Sequence, residues 1–399
     1  MINSFPDYEY IPVGPDGHAH NMYHGIDLGF GGLVIAKPGM YGPTITLDVS
    51  GMHPASIRAL NAFGIYTERF GELVDLRLAI KHKDYEKAKT MLDGKVTKYL
   101  DDPSTAKALT QALKIAVNSV YGLTSAKFDN PMRDKRNVNN IVALRGALFM
   151  AQLKEEVEAK GYEVIHIKTD SIKIVNYDDN IIDYVMKRGK DYGYSFEVEH
   201  IFEKICLVND AVYIAKLAED DPENPGKWTA TGAQFAVPYV FKTLFSHEPI
   251  EFEDMCETKS VTSALYLDLN ETLPDVSEYE KAFDKAEKDY KNGKLSDISF
   301  ENTCKDLQKE IDKGHDYHFV GKVGLFCPIK PGCGGGYLVR DNHGKFASAT
   351  GAKDFRWLEA ETVRDSGKES DIDKSYYTQL VDEAVATISK FGDINTFVD

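Results

Sequence analysis

The segment YEVIHIKTDSIKIVN, residues 162 to 176, decides how the rest of the chain is read. Its apolar residues form two short strand-like runs, and the polar pair Thr169-Asp170 stands where a tight turn must join them. A carboxylate on such a turn is held in fixed geometry by the sheet on either side. Working outward, TITLDVS (44 to 50) reads as a second buried strand ending near Asp48, with a helix start at Pro54. Two helical stretches, about 71 to 91 and about 104 to 121, flank the breaker-rich DGKVTKYLDDPS and predict an antiparallel hairpin. A long helix, about 139 to 160, leads back to the opening segment, and a further helix (about 180 to 192) and several strands run on to Tyr239. The composition then changes. Residues 279 to 314 are charged and helical, 317 to 350 are glycine-rich with short apolar strands, and 374 to 391 form an amphipathic helix. The expected class is α+β, with a separate C-terminal lobe from about residue 246.

With 399 residues, 43% of them hydrophobic, the chain can bury more than one core. No apolar run approaches the ~20 residues of a membrane span, and MINSFPDYEY lacks the charged-then-apolar pattern of a secretion signal. The expectation is a soluble, intracellular protein without a membrane partner. Cys206, Cys256, Cys304, Cys327 and Cys333 are scattered, never in close C-x2-C pairs, and read as free thiols. The net charge of -16 argues against a polyanion partner until its distribution is read. Between Asp75 and Arg145, fourteen Lys or Arg face eight Asp or Glu, so one basic lobe sits on an acidic body.

Three segments belong together: LDVSGMHPASI (47 to 57), KIAVNSVYG (114 to 122) and HIKTDSI (166 to 172). Phosphoryl transfer by two divalent ions about 3.5 to 4 Å apart needs carboxylates brought from separate strands of a rigid sheet. Asp48 and Asp170 can supply that pair, and the backbone carbonyl of Val49 a third oxygen. Lys114 and Asn118 share one helix face with Tyr121 a turn further on, a face able to meet a nucleotide. Lys114 would hold the triphosphate as a point charge, and Tyr121 would pack beside the nascent base pair. Arg77 and Lys81, four apart on the preceding helix, could reach the same phosphates.

The ordered set resembles motifs A, B and C of family B DNA polymerases, whose patterns are D-x-x-S-L-Y-P-S, K-x-x-x-N-S-x-Y-G and Y-x-D-T-D-S. KIAVNSVYG matches motif B at every fixed position, and GFGGLVIAKPGMYG resembles the glycine-containing segment before motif A. The resemblance covers roughly residues 29 to 240. It implies a right-hand fold: palm over 1–58 and 123–245, short two-helix fingers over 59–122, and a thumb over 246–399. It further implies two magnesium ions, with manganese able to replace them, on Asp48, Asp170 and Val49. The implied partners are primer-template DNA and deoxynucleoside triphosphates, with Thr169, Ser171, Tyr213 and Arg145 on the primer-template side. His53 replaces the tyrosine that gates against ribose in the family, and Lys168 replaces the first aspartate of motif C. Strand geometry would put Lys168 and Asp170 on one face. The segment VNDAVYIAK keeps only Tyr213 and Lys216 of the family's primer-gripping pattern. Only 47 residues precede Asp48, too few for the proofreading domain usual in the family, so a separately encoded 3'-5' exonuclease or other replication subunits are the expected partners. A unit this compact fits a phage-type enzyme in the cytoplasm of a bacterial host. The rival reading is a catalytically weak or inactive polymerase-derived subunit that only binds DNA.

Overall fold

The computed structural model describes residues 4–124, 126, 128–130, 140–270, 275–342 and 345–398. Contacts divide the chain into two compact units, Met1–Gly232 with Lys390–Phe397, and Ala233–Ser389 with Val398–Asp399. Each mixes helices and strands, in keeping with the α+β expectation. Residue 246 falls inside the second unit. Among the described residues no helix is long and apolar enough to cross a membrane.

The first unit opens with a small antiparallel sheet of β1 (Tyr8–Ile11), β2 (His20–Tyr23) and β3 (Ile26–Asp27). Asn21 is fully buried here, and its side chain is satisfied by the Tyr8 hydroxyl at 2.8 Å and the Gly29 carbonyl at 2.9 Å. The main sheet follows, built from β4 (Val34–Ala36), β5 (Gly39–Tyr41), β6 (Thr44–Val49), β7 (Glu163–Lys168), β8 (Ser171–Val175), β9 (Phe196–Leu207), β10 (Tyr213–Leu217) and β11 (Trp228–Thr231). Its order is β11-β10-β9-β6-β8-β7-β4, with β5 paired to β9, and the pairings are antiparallel.

Alternation of side chains decides which face of this sheet is covered. Ile45, Leu47 and Val49 of β6, with Ile172 and Ile174 of β8, pack against helices α5 (Ile141–Ala159) and α6 (Asp179–Tyr192). Each aliphatic side chain so buried contributes roughly 1.5–3 kcal/mol. Thr44, Thr46 and Asp48 of β6 and Lys173 of β8 therefore point to the opposite face.

Helix α1 (Met52–Ala59) begins two residues ahead of the expected start at Pro54, because Gly51 takes a left-handed conformation (φ 70°) at its N-cap. The expected helix over 71 to 91 is broken into α2 (Thr67–Lys81) and α3 (Tyr85–Thr90). The break is chemical: Lys83 has a positive φ of 60°, and the Asp84 carboxylate accepts from the Lys87 N–H, an N-cap that restarts the helix. Helix α4 (Pro103–Thr124) packs on α2 through Leu76, Ala79, Ile80 and Ala106. The expected start of α5 at 139 lies outside the described residues.

In the second unit, short helices α7 (Ala233–Ala236) and α8 (Pro238–Phe241) precede a sheet of β12 (Glu257–Asp268), β13 (Tyr317–Ile329), β14 (Gly336–Asn342), β15 (Lys345–Ser348) and β16 (Arg356–Glu359). Helices α9 (Ser277–Lys291) and α10 (Asp297–Asp312) are neighbours joined by the stacked rings of Tyr290 and Phe300. Helices α11 (Ala360–Asp365) and α12 (Lys374–Ile388) close a core around Trp357, Phe326 and Tyr377. Gly334 and Gly335 have φ of 93° and 74° and turn the chain into β14, so the glycine run is a turn between strands. The five cysteines are free thiols.

Two histidines, half-buried His20 and exposed His24, pin the N-terminal sheet. His20 lies between Asp27 (2.6 Å) and Asp16 (2.9 Å), and His24 between Asp7 (3.0 Å) and Glu155 on α5 (2.7 Å). Hydrogen bonds donated to these carboxylates hold both imidazoles protonated above the usual histidine range. A raised folded-state pKa gives stability that is complete below the unfolded value of about 6.5 and is lost as pH rises through the folded value. Protection of the Met22 and Tyr23 amides against hydrogen exchange, corrected for intrinsic rates, should therefore fall as pH rises above about 6.5. The double substitution H20Q/H24Q should make it flat with pH.

Candidate active site

The corner between β6 and the β7–β8 hairpin gathers the two aspartates. Lys168 and Ser171 pair across the hairpin and leave Thr169-Asp170 as its loop. The Asp170 N–H donates to the Lys168 carbonyl at 2.8 Å, and Thr169 between them has a φ of 58°. An i to i+2 bond around a β-branched residue at positive φ is a strained turn, which persists only where its surroundings fix it. Two bonds do so. The Thr169 N–H donates to the Leu33 carbonyl at 2.8 Å, and the Asp170 carbonyl accepts from the Val49 N–H at 2.9 Å. The second bond fastens the turn to the end of β6, directly after Asp48, whose register partner on β8 is Ser171.

Burial and mutual repulsion dominate the electrostatics. Asp48 is pushed up to about 7, first by burial and then by the charges of Asp170 and Glu199, while Lys81 opposes the rise. Asp170 is also raised, chiefly by burial. Two half-buried carboxylates that repel each other fit a hard, oxygen-seeking cation such as magnesium. Among the described residues no group of three or more His, Cys, Asp or Glu side chains is close enough to hold an ion. The available donors are thus the carboxylate pair and backbone oxygen such as that of Val49.

Lys168 pairs across the hairpin with Ser171, the register partner of Asp48, and so stands in the Asp48 row of the sheet's open face. It ends β7 and is exposed, whereas Asp170 belongs to the turn, so the period of two does not connect them. Besides Asp170 acting on Asp48, the charges on the two aspartates come from Glu199 and, for Asp48, from Lys81 and Glu197 as well.

Lys81 is held at the end of α2 by Glu197 of β9, the register partner of Asp48, with an Nζ–Oε2 distance of 2.8 Å, and His82 reaches the other oxygen of the same carboxylate at 3.1 Å. Arg77 is half-buried with Nε unpartnered among the described residues. Lys114 and Asn118 are exposed on α4. Tyr121, a turn further on, stacks on His53 of α1 with ring centroids 4.1 Å apart. Its hydroxyl accepts from Asn140 at 2.8 Å, and the same Asn140 amide donates to the Phe30 carbonyl at 2.8 Å. Burial holds His53 neutral, below the usual histidine range. The glycine segment around residues 29 to 33 thereby clasps the Asp170 turn through Leu33 and the Tyr121–His53 stack through Phe30.

Two expected primer-template residues lie elsewhere. Arg145 is 7% exposed on α5, donating to the Tyr192 carbonyl with its guanidinium against the rings of Tyr192 and Tyr194. Its Nη2 is spent on the helix-covered side of the sheet, where the apolar pattern of α5 carries it, while Nη1 is buried without a hydrogen-bond partner among the described residues. Tyr213 lies on β10 with its ring over the Lys173 ammonium. Conversely, Glu199 was not anticipated. It is the extra residue of a bulge in β9, between partners Thr46–His200 and Leu47–Val198, and acts on both aspartates. The alternating glutamates of FEVEHIFEK were its only sequence signal.

No known family profile matches the chain. Over 154 residues it is 30% identical to DNA polymerase II of Escherichia coli (strain K12), an alignment covering 35% of this chain and 19% of that protein. The chain thus spans about a fifth of the curated relative it matches. Among solved structures, the family B DNA polymerase of the hyperthermophilic archaeon Pyrobaculum calidifontis aligns with 90% of this chain and 46% of its own, at 14% identity and a TM-score of 0.43.

Gly32 has a φ of 136°, and a Cβ there would lie 2.8 Å from Thr169 Cγ2. Gly32→Ala should therefore unseat the Asp170 turn, costing about 1–3 kcal/mol in chemical denaturation. Asp48→Asn should do the reverse. Because the folded state raises the Asp48 pKa, stability is lost as pH climbs from about 4 to about 7, and removing the charge should raise the melting midpoint at pH 8 by roughly 2–4 °C.

Proposed function

We propose that the chain is a template-directed DNA polymerase of family B that adds deoxynucleotides to a primer 3' end. The observation that carries this reading is the joining of Asp48 and Asp170 at one corner by the Val49–Asp170 backbone bond, in a chain whose three motifs follow the family's order. The similarity to DNA polymerase II supports the same reading. On this view residues 1–58 and 123–245 act as palm, 59–122 as fingers and 246–399 as thumb.

The primer 3'-hydroxyl attacks the α-phosphorus of the incoming nucleotide. A new O–P bond forms, the bond to the bridging oxygen breaks, pyrophosphate leaves, and the hydroxyl proton passes to water. Asp48 and Asp170, with the Val49 carbonyl, would hold two magnesium ions, or manganese in their place, which supply Lewis-acid stabilisation of the developing charge. Lys114 neutralises the triphosphate from α4. Lys81 and Arg77 add charge from α2, Lys81 exchanging the Glu197 carboxylate for phosphate. Asn118 orients the nucleotide, and the Tyr121–His53 stack lies beside its sugar and base, where the neutral imidazole excludes bulk at the 2' position. Thr169, Ser171 and Tyr213 belong to the primer side.

The exposed Lys168 and the inward Arg145 favour a second reading, a subunit that holds primer-template without synthesis. Extension of a labelled primer with magnesium and four deoxynucleotides separates the two. Wild type should extend, whereas Asp48→Asn and Asp170→Asn should each lose at least about 1,000-fold in rate, some 4 kcal/mol of transition-state stabilisation, with primer-template affinity retained. Retained extension by either variant rules out the proposed mechanism. No extension by wild type, with tight DNA binding, establishes the second reading.

A further inference from the structure

Behind the carboxylate corner the open face of the first unit's sheet carries a second row of polar side chains. Register sets Lys168, Ser171, Asp48 and Glu197 side by side across β7, β8, β6 and β9. One step back along the same strands stand His166, Lys173, Thr46 and His200. Lys173 lies in the middle of this row. It is 5% exposed, its Nζ donates to Thr46 Oγ1 at 3.1 Å, and the rings of Phe202 and Tyr213 lie 5.5 and 5.3 Å from it. The hydrogen bond goes to a neutral hydroxyl. The negative charges acting on the ammonium are those of Glu199 and Asp48, the opposing cation is Lys168, and the facing His166 is held neutral chiefly by burial.

A buried ammonium without a carboxylate at hydrogen-bond distance is costly, and an apolar side chain would fill the position more cheaply. Burial accordingly lowers its pKa to about 8, with Glu199 and Asp48 resisting the fall. The sheet places this charge one row from Asp48, across the strand pair that carries the site.

We propose that Lys173 is a positioning residue: a fixed cation that steadies Asp48 and Glu199 by attraction and lowers the affinity of the carboxylate corner for a divalent ion. The consequence is that the empty site holds its ion weakly and gains it together with an anionic ligand, whose charge offsets the ammonium. This rests on the reading of Asp48 and Asp170 as the ion-holding pair.

The test is a titration of the full chain with Mn2+ alone, in low salt at pH 7, where Lys173 keeps its charge, following the free ion by electron paramagnetic resonance. Lys173→Met and Lys173→Gln should bind Mn2+ about tenfold more tightly than wild type, since an opposing charge in a poorly screened setting is gone. Lys173→Arg, which keeps the charge, should stay within about twofold of wild type. Asp48→Asn should lose binding. A merely structural role predicts the opposite sign, because a disturbed corner binds the ion less well. Unchanged or weaker binding in folded Lys173→Met and Lys173→Gln, with Asp48→Asn still defective, overturns the role of Lys173 alone. Unchanged binding in Asp48→Asn overturns the ion-holding pair and this proposal with it. Folding of the neutral variants is checked by thermal melting, where replacement of a buried charge is expected to be neutral or stabilising.

Discussion

The hydrogen bond from the Val49 N–H to the Asp170 carbonyl is the constraint on which the rest of the first unit's open face depends. It ties the end of one strand to a strained turn between two others, and so fixes two carboxylates that would otherwise separate to relieve their repulsion. The Thr169–Leu33 bond shares the load from the other side. A turn with positive φ at a β-branched residue does not hold itself, so backbone contacts from two distant segments must hold it.

That clasp explains why the glycine segment before β4 matters as much as the motifs. Glycine at 32 admits Thr169 where a side chain would collide, and the carbonyls of Phe30 and Leu33 reach the Tyr121–His53 stack and the Asp170 turn. A single loop thereby coordinates the acidic corner with the aromatic pair at the end of α4. The nucleotide-facing and ion-facing halves of the proposed site are mechanically joined.

Charge is arranged around this corner with similar economy. Glu199 pushes Asp48 and Asp170 towards protonation and Asp170 does the same to Asp48, while Lys81 from α2 acts from one side and buried Lys173 from another. Glu197 occupies Lys81. A site built this way is poised for cations and anions to enter together, because each relieves a field that the protein alone leaves unbalanced.

Much of this was legible in the sequence. The alternation of TITLDVS and of HIKTDSIKIV placed Asp48 and Asp170 at strand ends, and the period-two pattern alone determined which side of β6 faces the core. The order of three motifs pointed to their chemistry. Local rules failed where they were extended across a turn or a bulge. The period of two carries Lys168 into the row of Asp48 but does not extend to Asp170, which lies in a turn, and Glu199 acts on the aspartates because one extra residue in β9 changes its alternation. Arg145 shows the same limit from the other side, since a guanidinium in an apolar helix meets the Tyr192 carbonyl and the rings of Tyr192 and Tyr194 only after α5 and α6 have packed. The sequence by itself determined the strands, the turn and the acidic pair, because these follow from side-chain period and local backbone preference. Only the tertiary structure decided which charges surround that pair, because strand register and helix packing bring together residues that no local rule connects.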